Sequence, residues 1–147
     1  MFPRRFIGVL AFGWLVAACS GAAPDSSSGF SDDPSAVVES TKGRLHAALY
    51  TSPSTTPVRG NNQVQLALFA GEVSSKDEAQ LTDLDVQLTT LMPAMGHGGP
   101  KQPELVAIEG DRYVFHNVVL NMPGRWQLRV SVSGEINDQL VFEFDVD

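Results

Sequence analysis

Thiol sulfur is nearly missing from this chain, which has one cysteine in 147 residues. A single thiol closes no internal disulfide, so a small cystine-stapled scaffold is excluded. Basic residues are scarce as well: ten Lys and Arg against seventeen Asp and Glu give a formal net charge of −7. They form no local cluster, so no field exists to hold a phosphate backbone, and nucleic acid is excluded as a partner. The apolar run at residues 6–18 has thirteen residues, short of the roughly 20 that a bilayer-spanning helix needs. No long stretch repeats its apolar residues at helical spacing, which argues against a helical bundle. Chemistry-bearing motifs are also missing. There is no His-x-x-x-His, no cysteine pair and no recognisable Ser/His/Asp order, and Gly96-His97-Gly98-Gly99 opens no helix that could hold a phosphate. An enzyme is not expected.

What is present is 43% hydrophobic and 18% charged residues, the balance of one globular domain with a true core. The first five residues carry Arg4 and Arg5 and no acid, and the apolar run follows directly. That order marks residues 1–18 as an export signal. The run ends in Val16-Ala17-Ala18-Cys19, which resembles the bacterial lipobox, where small residues let the peptidase approach the backbone and the cysteine thiolate is alkylated. The expectation is a lipoprotein of the bacterial cell envelope, held on the membrane through a lipid on Cys19 and working on the periplasmic or extracytoplasmic face. Ser20 is not Asp, which by the sorting rule of Gram-negative lipoproteins favours the outer membrane. Residues 19–41 are rich in Ser, Gly, Ala, Asp and Pro without apolar periodicity, so they read as the lipidated cysteine and a disordered tether. Some twenty flexible residues would hold the domain about 25 Å from the membrane.

From residue 42 to 147 the pattern becomes that of strands. Val64, Leu66 and Leu68 alternate with polar or small neighbours; so do Leu84, Val86 and Leu88; Trp126, Leu128, Val130 and Val132; and Leu140, Phe142, Phe144 and Val146. Weaker strands are expected over 44–50, 104–108 and 112–120, and only 74–81 could form a helical turn. Gly60-Asn61-Asn62, Gly110-Asp111, Pro123-Gly124 and Gly134 punctuate them. The fold expected is all-β: an immunoglobulin-like antiparallel β-sandwich of about seven strands, preceded by the signal peptide and the tether. Trp126 alternates with core positions and reads as core.

The segment 91–100 is the most unusual in the chain, with Met92, Met95, His97 and five Gly or Pro residues. Thioether sulfur with imidazole nitrogen is a donor set suited to copper, above all Cu(I). Met95 and His97, two apart, would share one side of an extended chain; Gly98 and Gly99 would leave the loop free to close round an ion. A second cluster places Met122 before Pro123-Gly124, a pair suited to a type II turn with Gly124 at positive φ. The metal candidates are Met92, Met95, His97 and Met122. Methionines at the ends of a sandwich also plug gaps in a core, and the residues leave both readings open. His116 reads as an ordinary strand histidine whose side depends on register, and His46 as a surface one.

Taken in order, Gly60-Asn61-Asn62, Met92-Pro93-Ala94-Met95-Gly96-His97-Gly98, Gly110-Asp111-Arg112-Tyr113 and Met122-Pro123-Gly124-Arg125-Trp126 are similar to the YtkA-like domain, related to the FixH-like proteins. The resemblance covers roughly 42–147. It implies an immunoglobulin-like extracytoplasmic domain, often lipid- or membrane-tethered, and an association with copper handling or with assembly of copper-containing respiratory oxidases. It implies Met92, Met95 and His97 as ligands, with Met122 a fourth, and an envelope partner from a copper-handling or oxidase-assembly system. The alternative is a metal-free protein-interaction or assembly module of a membrane complex, in which the same loop docks a partner.

Overall fold

Eight strands and no helix build the described part of the computed structural model, residues 29–73, 81, 83–109 and 112–147. The expected export signal, Cys19, the expected turn at Gly110-Asp111 and nearly all of segment 74–81, where a helical turn is expected, lie outside the described residues. The strands are β1 (Ala36–Glu39), β2 (Leu45–Ser52), β3 (Gly60–Ala70), β4 (Asp85–Leu91), β5 (Glu104–Glu109), β6 (Arg112–Leu120), β7 (Gly124–Ser133) and β8 (Asp138–Val146). They pair antiparallel throughout, in a five-stranded sheet of order β1-β2-β3-β6-β5 and a three-stranded sheet of order β4-β7-β8. This is the expected all-β sandwich, with one strand more than anticipated.

Period-two patterning explains the second sheet directly. In β7, Trp126, Leu128, Val130 and Val132 are buried while the residues between them are exposed or half-buried, and in β4 Val86, Leu88 and Thr90 do the same. Trp126, Tyr113, Phe115 and Phe142 are the largest side chains with no or almost no exposure, and they fill the space between the sheets. Burying each such aromatic stabilises the fold by about 2 to 3 kcal/mol. Trp126 is core, as its alternation indicated, and its indole nitrogen donates to the Met122 carbonyl at 2.9 Å.

The extra strand corrects the tether. β1 pairs with β2 from Ala36↔Leu49 to Glu39↔His46, and the Ser35 amide donates to the Leu49 carbonyl at 2.7 Å. Phe30 packs on Ala48, Tyr50 and Ala67, so the outer face of β2 and β3 is covered by the arm that leads into β1. The folded unit therefore starts well before residue 42. The same cover explains His46, expected on the surface but only 3% exposed: its ring stacks on Phe69 at 5.0 Å and its Nδ1 lies 3.0 Å from the Gly71 carbonyl.

The sandwich has two distinct ends. At one, the β1–β2 turn is latched to the opposite sheet by Asp138, whose carboxylate is 4% exposed. It accepts from the Ser40 hydroxyl at 2.7 Å, the Thr41 hydroxyl at 3.0 Å, and the amides of Lys42 and Gln139 at 3.2 and 2.8 Å. Burial pushes this carboxyl up, but the hydrogen bonds from Ser40, Gln139, Thr41 and Lys42 outweigh it and hold the pKa down at about 2. The other end, the rim, gathers the C-termini of β2, β4 and β6 with the N-termini of β3 and β7.

Along one side, β5 has no strand partner on its outer edge among the described residues. Leu105, Val106 and Ile108 are 43, 47 and 52% exposed there. The register shift between Leu105 and Ala107 sets Val106 out of the ladder, and Glu104 and Glu109 close the strand at either end.

Candidate functional site

The rim is built by a hairpin that continues β4. Met92 and His97 form an isolated antiparallel bridge, with the Met92 amide donating to the His97 carbonyl at 2.8 Å. The amides of Met95 and Gly96 both donate back to the Met92 carbonyl, at 3.1 and 2.9 Å, which folds residues 93–96 into a tight turn. Gly96 sits at φ 69°, a left-handed conformation that a β-carbon disfavours. Met95 and His97 are therefore not neighbours on one side of an extended chain, as their spacing suggested. They stand at the tip and the returning leg of a hairpin.

The candidate donors divide by depth. Met95 is 55% exposed and His97 is exposed. Met122 is half-buried against the core, in the turn that leads to Gly124. Met92 is a core residue, 6% exposed, and its Cε lies 2.7 Å from where a β-carbon on Gly124 would stand. A β-carbon there would press only on the flexible end of that thioether; it is the φ of 125°, expected for the turn, that calls for glycine at position 124. The structure thus gathers all four residues at one end of the sandwich, two accessible and two packed beneath them. Among the described residues, no group of three or more His, Cys, Asp or Glu could hold a metal ion.

His97 has a defined orientation. Its Nδ1 lies 2.9 Å from the Gly98 carbonyl. A carbonyl only accepts, so Nδ1 is the donor in this contact, and in the neutral ring the lone pair then lies on Nε2. Metal-ligating imidazoles are characteristically arranged this way, one ring nitrogen donating to a backbone carbonyl and the other free for the ion.

The glycines after His97 act against expectation. A β-carbon on Gly98 would stand 2.6 Å from the Thr90 carbonyl oxygen, and one on Gly99 would collide with the Val119 carbonyl oxygen. The Gly99 amide also donates to the Thr90 hydroxyl at 2.9 Å. These glycines pin the returning leg against β4 and β6; they do not loosen it. Thr90 was not singled out by sequence, since its role depends on a partner nine residues away. His116 lies opposite Glu104 in the β5–β6 ladder, away from the hairpin.

An antiparallel sandwich of immunoglobulin-like type, with a glycine-pinned Met/His hairpin at its rim, defines the class of domain. The chain belongs to the YtkA-like family, whose model matches residues 39–131. No curated protein and no solved structure matches it.

Proposed function

We propose that the protein is an envelope lipoprotein, anchored through Cys19, that binds copper reversibly at the rim hairpin and passes it to a membrane-associated partner, without catalysis of its own. Copper is cargo in this reading. Met95 and His97 are its accessible donors, Met122 is the third, and Met92 contributes chiefly by fixing the hairpin on the core. Few donors on an exposed turn suit an ion that must leave again, and thioethers hold Cu(I) without a proton to lose or a disulfide to form. The observation that carries the reading is the His97 ring: its Nδ1 is engaged by the adjacent carbonyl, so Nε2 is the nitrogen left to bind, two residues from an exposed thioether.

The test is an anaerobic competition titration with a coloured Cu(I) chelator, comparing wild type with a Met95→Ala/His97→Ala double variant. Both side chains are exposed, so the variant keeps its fold. One equivalent of Cu(I) withheld by the wild type and released by the variant is the expected result; identical curves would remove copper from the account. The burial of Met92, which leaves fewer accessible sulfurs than the sequence counted, favours a second reading: a metal-free module whose exposed Met95 docks a partner. That reading requires partner binding to survive thorough metal depletion.

A further inference from the structure

The arm and the hairpin leave the sandwich at the same end. Ser35 lies beside β2, its hydroxyl 2.9 Å from that of Thr51, and a β-carbon on Gly29 would touch the Ser52 hydroxyl at 3.4 Å. Ser52 ends β2 at the rim. Gly99 rests on Val119, near the rim end of β6, two strands away, a lateral distance of about 10 Å. From these positions we infer that the rim is the membrane-facing end of the protein, so that the hairpin bearing Met95 and His97 meets a partner embedded in the membrane. The inference rests on the lipid-anchor reading of Cys19 and does not need copper.

Reach supports it. Nine residues separate Cys19 from Gly29. Ten Cα steps span at most about 35 Å. Strands of nine to eleven residues place the latched end roughly 30 Å further away. A domain tied at the rim by so short a leash presents the rim to the bilayer far more often than its opposite end.

Charge points the same way. The rim loops 53–59, 93–103 and 121–123 contain Arg59 and Lys101 and no carboxylate. The other acids at this end are Asp32 and Asp33 on the arm, Glu104 at the start of β5, Asp147, and Asp145, which Arg125 pairs at 2.9 Å. At the latched end the exposed acids are Glu39, Glu72, Asp83, Asp85, Glu109 and Glu135, against the exposed bases Lys42 and Arg44. In a chain of net charge −7, the loops facing the rim are those least repelled by anionic headgroups. Pro93, Ala94 and Met95 give that end an exposed apolar tip suited to the surface of an integral membrane protein.

The test uses the full lipidated protein in vesicles of phosphatidylethanolamine and phosphatidylglycerol. With Cys19 acylated, a donor dye is attached at an introduced thiol in Ala94→Cys or Thr55→Cys at the rim, or in Glu135→Cys at the latched end. All three positions are exposed. Energy transfer to headgroup-labelled lipid is then measured at rising acceptor density. The rim labels should reach half-quenching at no more than half the acceptor density that the Glu135 position requires. Equal or reversed quenching on vesicle-bound protein would overturn the orientation and leave the copper reading to its own titration. Protein that does not float with the vesicles would overturn the anchor and this inference with it.

Discussion

Replacing Asp138 by Asn removes one charge from the latch while keeping its shape, and the cost can be worked from the structure. The carboxyl is held from its usual 3.8 down to about 2 by donors from Ser40, Gln139, Thr41 and Lys42, against the upward push of burial. At about 1.4 kcal/mol per tenfold change in proton affinity, the ionised, hydrogen-bonded form stabilises the fold by about 2 kcal/mol at neutral pH. Asn retains one acceptor oxygen but turns an NH2 toward donors, so most of that is lost. For a domain of this size the melting temperature should fall by about 8 °C. Asp138→Ala, which leaves two hydroxyls and two amides without their acceptor, should cost more, about 3 to 5 kcal/mol. A depressed folded-state pKa contributes stability that is complete above the unfolded value and lost as pH falls through the folded one. The gap between wild type and Asp138→Asn should therefore be constant from pH 7 to pH 5 and close between about pH 4 and pH 2. Urea unfolding followed by the fluorescence of Trp126, fully buried in the fold, measures both quantities. A variant within 0.5 kcal/mol of wild type at pH 7, or a gap that does not narrow in acid, would refute the account of the latch.

Three further perturbations separate scaffold from site. Met92→Ala should lose about 2 to 4 kcal/mol in urea unfolding through the cavity it opens beneath Gly124, whereas exposed Met95→Ala should stay within about 0.5 kcal/mol of wild type; equal losses would place Met95 in the core. Gly99→Ala should destabilise by about 1 to 3 kcal/mol in the same assay, since its β-carbon collides with backbone that strands hold in place. Asn117, at φ 60°, is the one non-glycine residue with positive φ among those described; Asn117→Val should lower the melting temperature, by a loss of about 1 to 2 kcal/mol, while Asn117→Gly should be close to neutral.

The legible parts of this fold were those where one face meets water. β4, β7 and β8 alternate because their sheet is core on one side and solvent on the other. β2 read weakly for the opposite reason: Leu45 to Thr51 are all buried, since Phe30, Phe69 and the stacked His46 cover the outer face. A strand buried on both sides has no period to show, and its neighbour β1 was hidden in a Ser- and Asp-rich stretch whose few apolar residues match only once β2 is in place. At the rim, the side-chain types and their place at a sandwich end were visible in Met92, Met95, His97 and Met122. Their depth was not, because Met92 is buried by packing into the core, its Cε against Gly124, thirty-two positions away. Gly98 and Gly99 were misjudged for a related cause: a glycine pair in a sequence looks the same whether it confers freedom or permits close contact. Asp138 was not singled out, because its hydroxyl partners Ser40 and Thr41 lie almost a hundred residues earlier.

The unpartnered row along β5 bears on how the molecule behaves when crowded. A second copy aligned antiparallel on that edge would pair Leu105 with Ile108, an attractive match, but would also set Glu104 against Glu109 at both extremities. Two like-charge confrontations per junction, with the displaced Val106 between them, make the growth of a ribbon unfavourable at neutral pH. The same six residues that offer an apolar edge thus carry, at their two ends, the charges that oppose its self-pairing.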